Sequence, residues 1–153
     1  MGLPVATLLR LKSQLDCLPL VVSGTGEDAL ERKPAPDKWS ARQNLAHLAR
    51  YHDIFLDRLE RIVGEDRPAI ERYSAERDAE WPHWNALPAS EVLRRLHALR
   101  AELIDSVNQL SDAELARTGT HSRFGEMTLA QWLEFFLLHE AHHLFAVMQR
   151  VRE

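Results

Sequence analysis

The sequence TLAQWLEFFLLHEAHHLFA occupies positions 128–146. Its apolar residues recur at alternating spacings of three and four, which predicts the buried side of an amphipathic helix. The stripe consists of Leu129, Trp132, Phe136, His139, His143 and Ala146. Thr128 and Gln131 form a capping-box pattern at its start. We therefore expect a long helix that begins after Thr128 and ends near Val151.

Two histidines replace apolar residues in the middle of this stripe. His139 and His143 are four positions apart, so they share one face of the helix. Two neutral imidazoles are costly to bury without partners, and one divalent metal ion would satisfy both. The alternative is that each is a hydrogen-bonded core histidine. The metal interpretation requires a third ligand from another part of the chain.

A second helix has equally clear boundaries. Ser40 and Gln43 form another capping box, and Gly64 is a typical helix end. The apolar stripe between them contains Ala41, Leu45, Leu48, His52, Phe55, Leu59 and Ile62. This helix is the expected source of the third ligand.

The remaining helical signals are weaker. A first helix is expected from Pro4 to about Leu18, with a break at Pro19. A third helix is expected from about Ser90 to Leu110, and a single turn after the capping box Ser111–Glu114. Thr118–Met127 is predicted to be a loop. Because no stretch alternates apolar and polar residues for long enough to indicate a strand, we predict an all-α four-helix bundle.

The connection Glu65–Ala89 is unusually long for a compact domain. Its aromatic residues Tyr73, Trp81 and Trp84 indicate that it packs against the bundle. We expect a helical turn between Ser74 and Trp84. We also expect these three rings to form an apolar wall facing the metal.

The second helix offers two candidates for the third ligand. Periodicity favours His52, which lies within the apolar stripe, whereas His47 lies at its edge. Position along the helix axis favours His47, because it would lie level with His143 if the second and fourth helices were antiparallel. These two arguments leave the choice open.

Other polar residues are expected to lie outside the site. His83 and His121 fall in predicted loops and His97 lies off the third stripe, so all three are expected at the surface. His142 points about 100° away from His143 on a helical wheel. Glu140 is expected to be solvated, and would act as an acid or base only if it turned inward.

Composition restricts the class of protein. The chain has 153 residues and a net charge of -4, consistent with a single globular domain over residues 1–153. No basic block indicates nucleic acid, and no apolar run indicates a membrane segment. The single cysteine, Cys17, excludes an internal disulfide and suits a cytoplasmic location.

Three segments resemble the DinB/YfiT-like superfamily. They are WSARQNLAHLA at 39–49, EDRPAI at 65–70, and FGEMTL at 124–129 followed by HEAHH at 139–143. The similarity covers roughly Pro36 to Arg150. It implies a bundle with up-down-down-up topology, in which the long connection joins parallel second and third helices. It also implies a homodimer.

The resemblance further implies a divalent metal held by His47, His139 and His143. His52 then becomes a core or pocket-lining residue. Imidazole ligands favour Zn or Ni, with Fe, Mn or Cu as alternatives. Three histidines leave a coordination position open for water or substrate.

By analogy with related families, we expect a metal-dependent enzyme that transfers a low-molecular-weight thiol to a small electrophilic substrate. The first alternative is metal-dependent hydrolysis of a small molecule. The second is a non-enzymatic protein whose metal is structural or absent; a structural site normally has four protein ligands, which argues against it.

Overall fold

The computed structural model describes residues 2–153 and consists mainly of four long helical arms. In chain order its elements are α1 (Val5–Ser13), α2 (Leu18–Val22), α3 (Glu27–Glu31), α4 (Ala41–Gly64), β1 (Ala69–Ile70), α5 (Trp81–Ala86), α6 (Ala89–Asn108), α7 (Asp112–Leu115), β2 (Thr118–His121), β3 (Gly125–Thr128) and α8 (Leu129–Arg152). Short 3-10 turns occupy Gln14–Cys17 and Ala75–Arg77. The all-α four-helix bundle is confirmed, with one small sheet added to it.

Reciprocal side-chain caps begin three of the helices, as predicted. Ser40, Ser111 and Thr128 each accept a hydrogen bond from the backbone N–H three residues later, and the side chain at that third position accepts one in return. These bonds satisfy backbone donors that the first helical turn leaves unpaired. They therefore fix where α4, α7 and α8 begin.

Contacts between the arms establish the topology. Asn44, near the start of α4, contacts His143 in the second half of α8. Tyr51 and Phe55, further along α4, contact Phe136, which lies earlier in α8. The two helices are therefore antiparallel. The first arm runs parallel to α8, because Thr7 bonds to Glu134 and Gln14 to Glu140.

Helices α4 and α6 run parallel to each other. Their early residues share one core cluster, which contains Leu45, Leu48, Val92 and Leu96. Their later residues share a second, which contains Phe55, Ile62, Leu103 and Val107. The predicted up-down-down-up order is therefore confirmed, with the connection after α4 returning the chain to the end at which α4 began.

A buried polar layer separates the two core clusters. Each arm contributes one side chain to it: Gln14, His52, Arg100 and Glu140. Arg100 pairs with the Glu140 carboxylate and also donates to His52 Nε2 at 3.0 Å and to the Leu11 carbonyl at 2.7 Å. The prediction that Glu140 is solvated was wrong, since its side chain is fully buried.

The buried line of α8 differs in phase from the predicted stripe. It consists of Leu129, Trp132, Leu133, Phe136, Leu137, Glu140, Leu144 and Val147. His139 and His143 are half-buried beside this line instead of within it. Because both sides of α8 carry large apolar residues, spacing alone did not fix which face is innermost.

A three-stranded sheet takes two of its strands, β2 and β3, from the segment Thr118–Met127 that was predicted to be a loop, and its third, β1, from the long connection. β1 pairs parallel with β2, and β2 pairs antiparallel with β3. Strands of two to four residues are too short to show an alternating pattern, which explains the wrong prediction. The sheet ties the long connection after α4 to the segment before α8.

The first arm was also predicted incorrectly at its end. It bends in the 3-10 turn Gln14–Cys17 and then continues through Pro19 as α2. Proline is tolerated there because it lies in the first turn, where its missing N–H would have no helical partner. The predicted turn in the long connection is confirmed by Ala75–Arg77 and α5.

Candidate metal centre

Three histidines converge between α4 and α8. The centroid of the His47 ring lies 4.3 Å from that of His143 and 5.1 Å from that of His139. The centroids of the two α8 rings are 4.6 Å apart. One nitrogen of each ring can be chosen so that all three lie within 4.8 Å of one another. The antiparallel packing of the helices thus brings together the three residues implied by the resemblance.

Hydrogen bonds orient one of these rings. His143 Nδ1 lies 2.8 Å from Asn44 Oδ1, while Asn44 Nδ2 donates to the Ser40 carbonyl at 2.8 Å. The second bond fixes the direction of the Asn44 amide, so His143 must carry its proton on Nδ1. Its Nε2 is therefore left with a free lone pair, the form that binds a metal.

The other two rings have unsatisfied nitrogens. His47 Nε2 and His139 Nε2 are 3.1 Å apart, and the Nδ1 atoms of both residues are buried without a hydrogen-bond partner. In a tetrahedral site with Zn–N bonds of ~2.0–2.1 Å, ligand nitrogens lie roughly 3.3 Å apart. The spacing of the two Nε2 atoms therefore suits a metal ion, and a nitrogen of His143 lies within 4.8 Å of a nitrogen of each of the other two rings.

The environment keeps all three imidazoles neutral. Burial, followed by the proximity of the other histidines, lowers the pKa of His47 to about 2. Burial, followed by the proximity of His143, lowers the pKa of His139 to about 3. Burial, followed by the proximity of His142, lowers the pKa of His143 to about 4. Neutral imidazole is the form that ligates metals, so no proton needs to be displaced near neutral pH.

Aromatic rings surround the three histidines. Tyr51 lies 4.1 Å from His139, and Trp39 lies 4.9 Å from His47, measured between ring centroids. Tyr73 lies 5.5 Å from His47, and Trp81 stacks on Trp39 at 5.2 Å. Sequence reasoning missed Trp39 and Tyr51, although Tyr51 is four residues after His47 and thus on the same helix face.

Trp84 does not belong to this wall, contrary to the prediction. It is buried in the core cluster with Leu45 and Leu96, and the Arg95 guanidinium lies over its ring at 5.3 Å. Trp81 instead stacks on Trp39 and lies 6.3 Å from His47, measured between ring centroids.

A cavity of about 600 Å³ opens onto the three histidines. Its lining includes aromatic residues, four arginines and two glutamates. No carboxylate joins the histidine cluster within residues 2–153. The arrangement can hold a metal ion with a side open to a small molecule.

The remaining histidines fall in three environments. His52 is fully buried in the polar layer, which excludes it from the cavity. His121 was predicted at the surface but is buried against Trp132 and Phe135, because β2 turns it inward. His83 and His97 are exposed, as predicted. His142 lies exposed at the cavity rim, outside the cluster of three.

The chain is similar to proteins of known family. Residues 10–145 match the model of the DinB superfamily. The Bacillus subtilis protein YuaE is 25% identical over 86% of this chain and 88% of its own length. An Oceanobacillus iheyensis protein named "Putative metal-dependent hydrolase OB0782" is 26% identical over 86% of this chain and 78% of its own length.

A solved structure shares the fold over nearly the whole chain. It is YfiT from Bacillus subtilis, described as a probable metal-dependent hydrolase with an unusual four-helix bundle topology; the TM-score is 0.82 and the identity 22%, over 96% of this chain and 85% of that one. None of the helices within residues 2–153 has the length and apolar character needed to cross a membrane. Because the family model spans most of its length, this chain belongs to the DinB superfamily.

Proposed function

We propose that this protein is a metal-dependent hydrolase of small molecules, with one divalent ion bound by His47, His139 and His143. The observation that carries this proposal is the convergence of the three neutral imidazoles beside an open cavity. The names of the relatives support the same class of reaction. Imidazole ligands favour Zn or Ni over Mg or Ca.

The chain's own residues divide the work of such a site. A bound divalent ion would supply Lewis acidity and lower the pKa of a water or thiol that it binds. Asn44 holds the His143 ring in the orientation that leaves Nε2 free. Trp39 and Tyr73 pack against His47 and shield the histidines from bulk water. Tyr73 is itself held by a 2.9 Å hydrogen bond to Asp78.

Transfer of a low-molecular-weight thiol is the second candidate, and one observation favours it. Among the described residues, no carboxylate hydrogen-bonds to the three histidines, and Glu140 is occupied by Arg100. Hydrolysis benefits from a nearby base that accepts a proton from water. A thiol ionises more readily than water, so its attack on an electrophile needs such a base less.

Substrate turnover with and without thiol separates the two reactions. The protein, purified without a histidine tag, is analysed for metal and then assayed on ester, amide and electrophilic substrates, each with and without glutathione, bacillithiol or mycothiol. Thiol-independent turnover that is lost on chelation and restored by metal supports hydrolysis. Turnover only with thiol supports transfer. No metal and no turnover would refute both.

Single substitutions test the ligand set. We expect His47→Ala, His139→Ala and His143→Ala each to weaken metal binding strongly. His142→Ala is the matched control, because it removes an adjacent imidazole that lies outside the cluster. Equal effects of His142→Ala and His143→Ala would refute the assignment.

We also propose that the protein forms a homodimer. Leu138, Phe145 and Met148 are exposed on one side of α8, at spacings that place them along a single stripe. Exposed apolar stripes of this kind are typical of helix–helix interfaces. Sedimentation at tens of micromolar (roughly ordinary assay concentrations) tests this, and a monomer alone would contradict it.

The free, half-buried Cys17 supports a reducing, cytoplasmic location.

A further inference from the structure

Arg58 is a buried cation with which no carboxylate pairs among residues 2–153. Its side chain is 4% exposed, and its guanidinium donates to the Tyr51 hydroxyl and to the Glu71 carbonyl, both at 2.8 Å. The other two buried arginines of the described chain each pair with a carboxylate, Arg42 with Glu31 and Arg100 with Glu140. A buried charge left without a counter-charge is costly, so a ligand that supplies one would be favoured.

Arg58 lines the same cavity as the three histidines. Of the residues that the structure describes, the charged ones lining this cavity are four arginines and two glutamates: Arg58, Arg72, Arg77, Arg123, Glu71 and Glu76. The cavity is therefore positive, whereas the whole chain has a net charge of -4. A positive cavity in an acidic protein attracts anions in particular.

Two further donors belong to the same part of the cavity. The Tyr51 hydroxyl accepts from Arg58, which leaves its own proton free to be donated. His121 Nδ1 accepts from the backbone N–H groups of Arg123 at 3.0 Å and Phe124 at 3.2 Å, so the ring carries its proton on Nε2. Arg58 and His121 both pack on Trp132, at 5.7 Å and 5.5 Å from its ring centroid.

The position of Tyr51 links these donors to the histidine cluster. Its ring centroid lies 5.4 Å from the Arg58 guanidinium carbon and 4.1 Å from the centroid of the His139 ring. Tyr51 is thus a neighbour of both groups, and a small molecule that contacted Arg58 and a metal at the histidines would lie within the one cavity that these residues line. Such a molecule would be bound by its anionic group at one point of the cavity and would react at another.

We propose that Arg58, Tyr51 and His121 form an oxyanion subsite that binds a carboxylate or phosphate group of the substrate. The planar guanidinium matches both groups, which share the oxygen atoms that the three donors require. The substrate class is then small organic anions. This assignment of substrate rests on the proposed metal-dependent function, whereas the binding of the anion does not.

Titration of the 15N-labelled protein with simple anions tests the subsite. Succinate and inorganic phosphate are the two probes, and they distinguish a carboxylate from a phosphate; neutral succinamide is the control ligand. We expect millimolar binding of at least one anion, with shifted amide signals for Arg123 and Phe124 and a shifted Arg58 Nε–H signal. Succinamide should produce none of these shifts.

Variants identify which arginine is responsible. Arg58→Gln should weaken anion binding at least tenfold. Arg94→Gln is the matched control, since it removes the same charge from an exposed site on α6 and should change the affinity less than twofold. If Arg58→Gln does not fold, Tyr51→Phe removes one donor and keeps the buried ring, and is expected to weaken binding several-fold.

The titrations are run on the protein as purified and repeated after chelation, which separates binding at Arg58 from binding to a metal. Equal affinity in the wild type and in the Arg58 or Tyr51 variant would overturn the proposal, as would equal shifts with succinamide or no shifts at all. A protein that binds the anions but no divalent metal would refute the proposed function and leave the subsite standing.

Discussion

Removal of the Arg100 guanidinium is expected to destabilise the whole bundle. Arg100→Met leaves the fully buried Glu140 with only Gln14 Nε2 at 2.8 Å and His52 Nε2 at 3.4 Å as polar neighbours. The Leu11 carbonyl and His52 Nε2 also lose their donor. Breaking a buried ion pair by removing one partner costs ~3–5 kcal/mol. A domain with a total stability of ~5–15 kcal/mol would lose about a fifth of it or more.

Urea unfolding followed by far-ultraviolet circular dichroism measures this loss at pH 7. The control is the double variant Arg100→Met/Glu140→Leu, in which the charge is removed from both sides. Because apolar residues of similar volume often replace a buried pair at little cost, the double variant should be more stable than Arg100→Met. A single variant within about 1 kcal/mol of the wild type would refute the reasoning, given the values expected for a buried pair. A double variant less stable than the single one would refute it equally.

Three other predictions concern the cavity and its surroundings. Gly119→Ala places a Cβ 2.9 Å from Ile62 Cγ1, so we expect a loss of ~1–3 kcal/mol in thermal unfolding, and an unchanged melting temperature would contradict the close contact. Asn44→Leu removes the acceptor that orients the His143 ring, so metal affinity should fall by ~10-fold or more. Competition with a chelating dye measures this affinity, and the helical circular dichroism signal should be retained. Unchanged affinity would show that the ring needs no such support. In the metal-free protein, burial lowers the folded-state pKa of the three clustered histidines and of His52. The free energy of unfolding therefore includes the full contribution of these neutral histidines when the pH is above their unfolded-state pKa of about 6.5. This contribution is lost as the pH falls from there toward the folded-state pKa values. Urea midpoints that did not fall between pH 7 and pH 5 would contradict this.

The parts of the fold that were predictable have local causes. Ser40 and Thr128 act through bonds to residues only three positions away, so the starts of α4 and α8 could be predicted to the residue. The topology and the selection of His47 came from the family resemblance, because periodicity favoured His52. Whether these histidines bind a metal stays a prediction.

The missed features depend on contacts between distant segments. His121 is buried because β2 pairs with β1, and no signal near residue 121 reveals that pairing. Glu140 is buried because Arg100 of another helix neutralises it, and a sequence window around Glu140 shows only a charged residue. Both misses follow from treating a polar residue as exposed before its partner is known.

The parallel pairing of β1 with β2 has a consequence for the order of folding. It joins Ala69 to Thr120 and Ile70 to His121, across the connection, all of α6 and α7. A pairing between residues so far apart in sequence has a high cost of loop closure, so other contacts must hold the two segments together. The Pro68–Arg77 segment, which carries part of the cavity wall, is therefore held by a strand that lies beyond α6 and α7 in the chain. A nascent chain cannot complete this wall of the cavity until β2 has been synthesised.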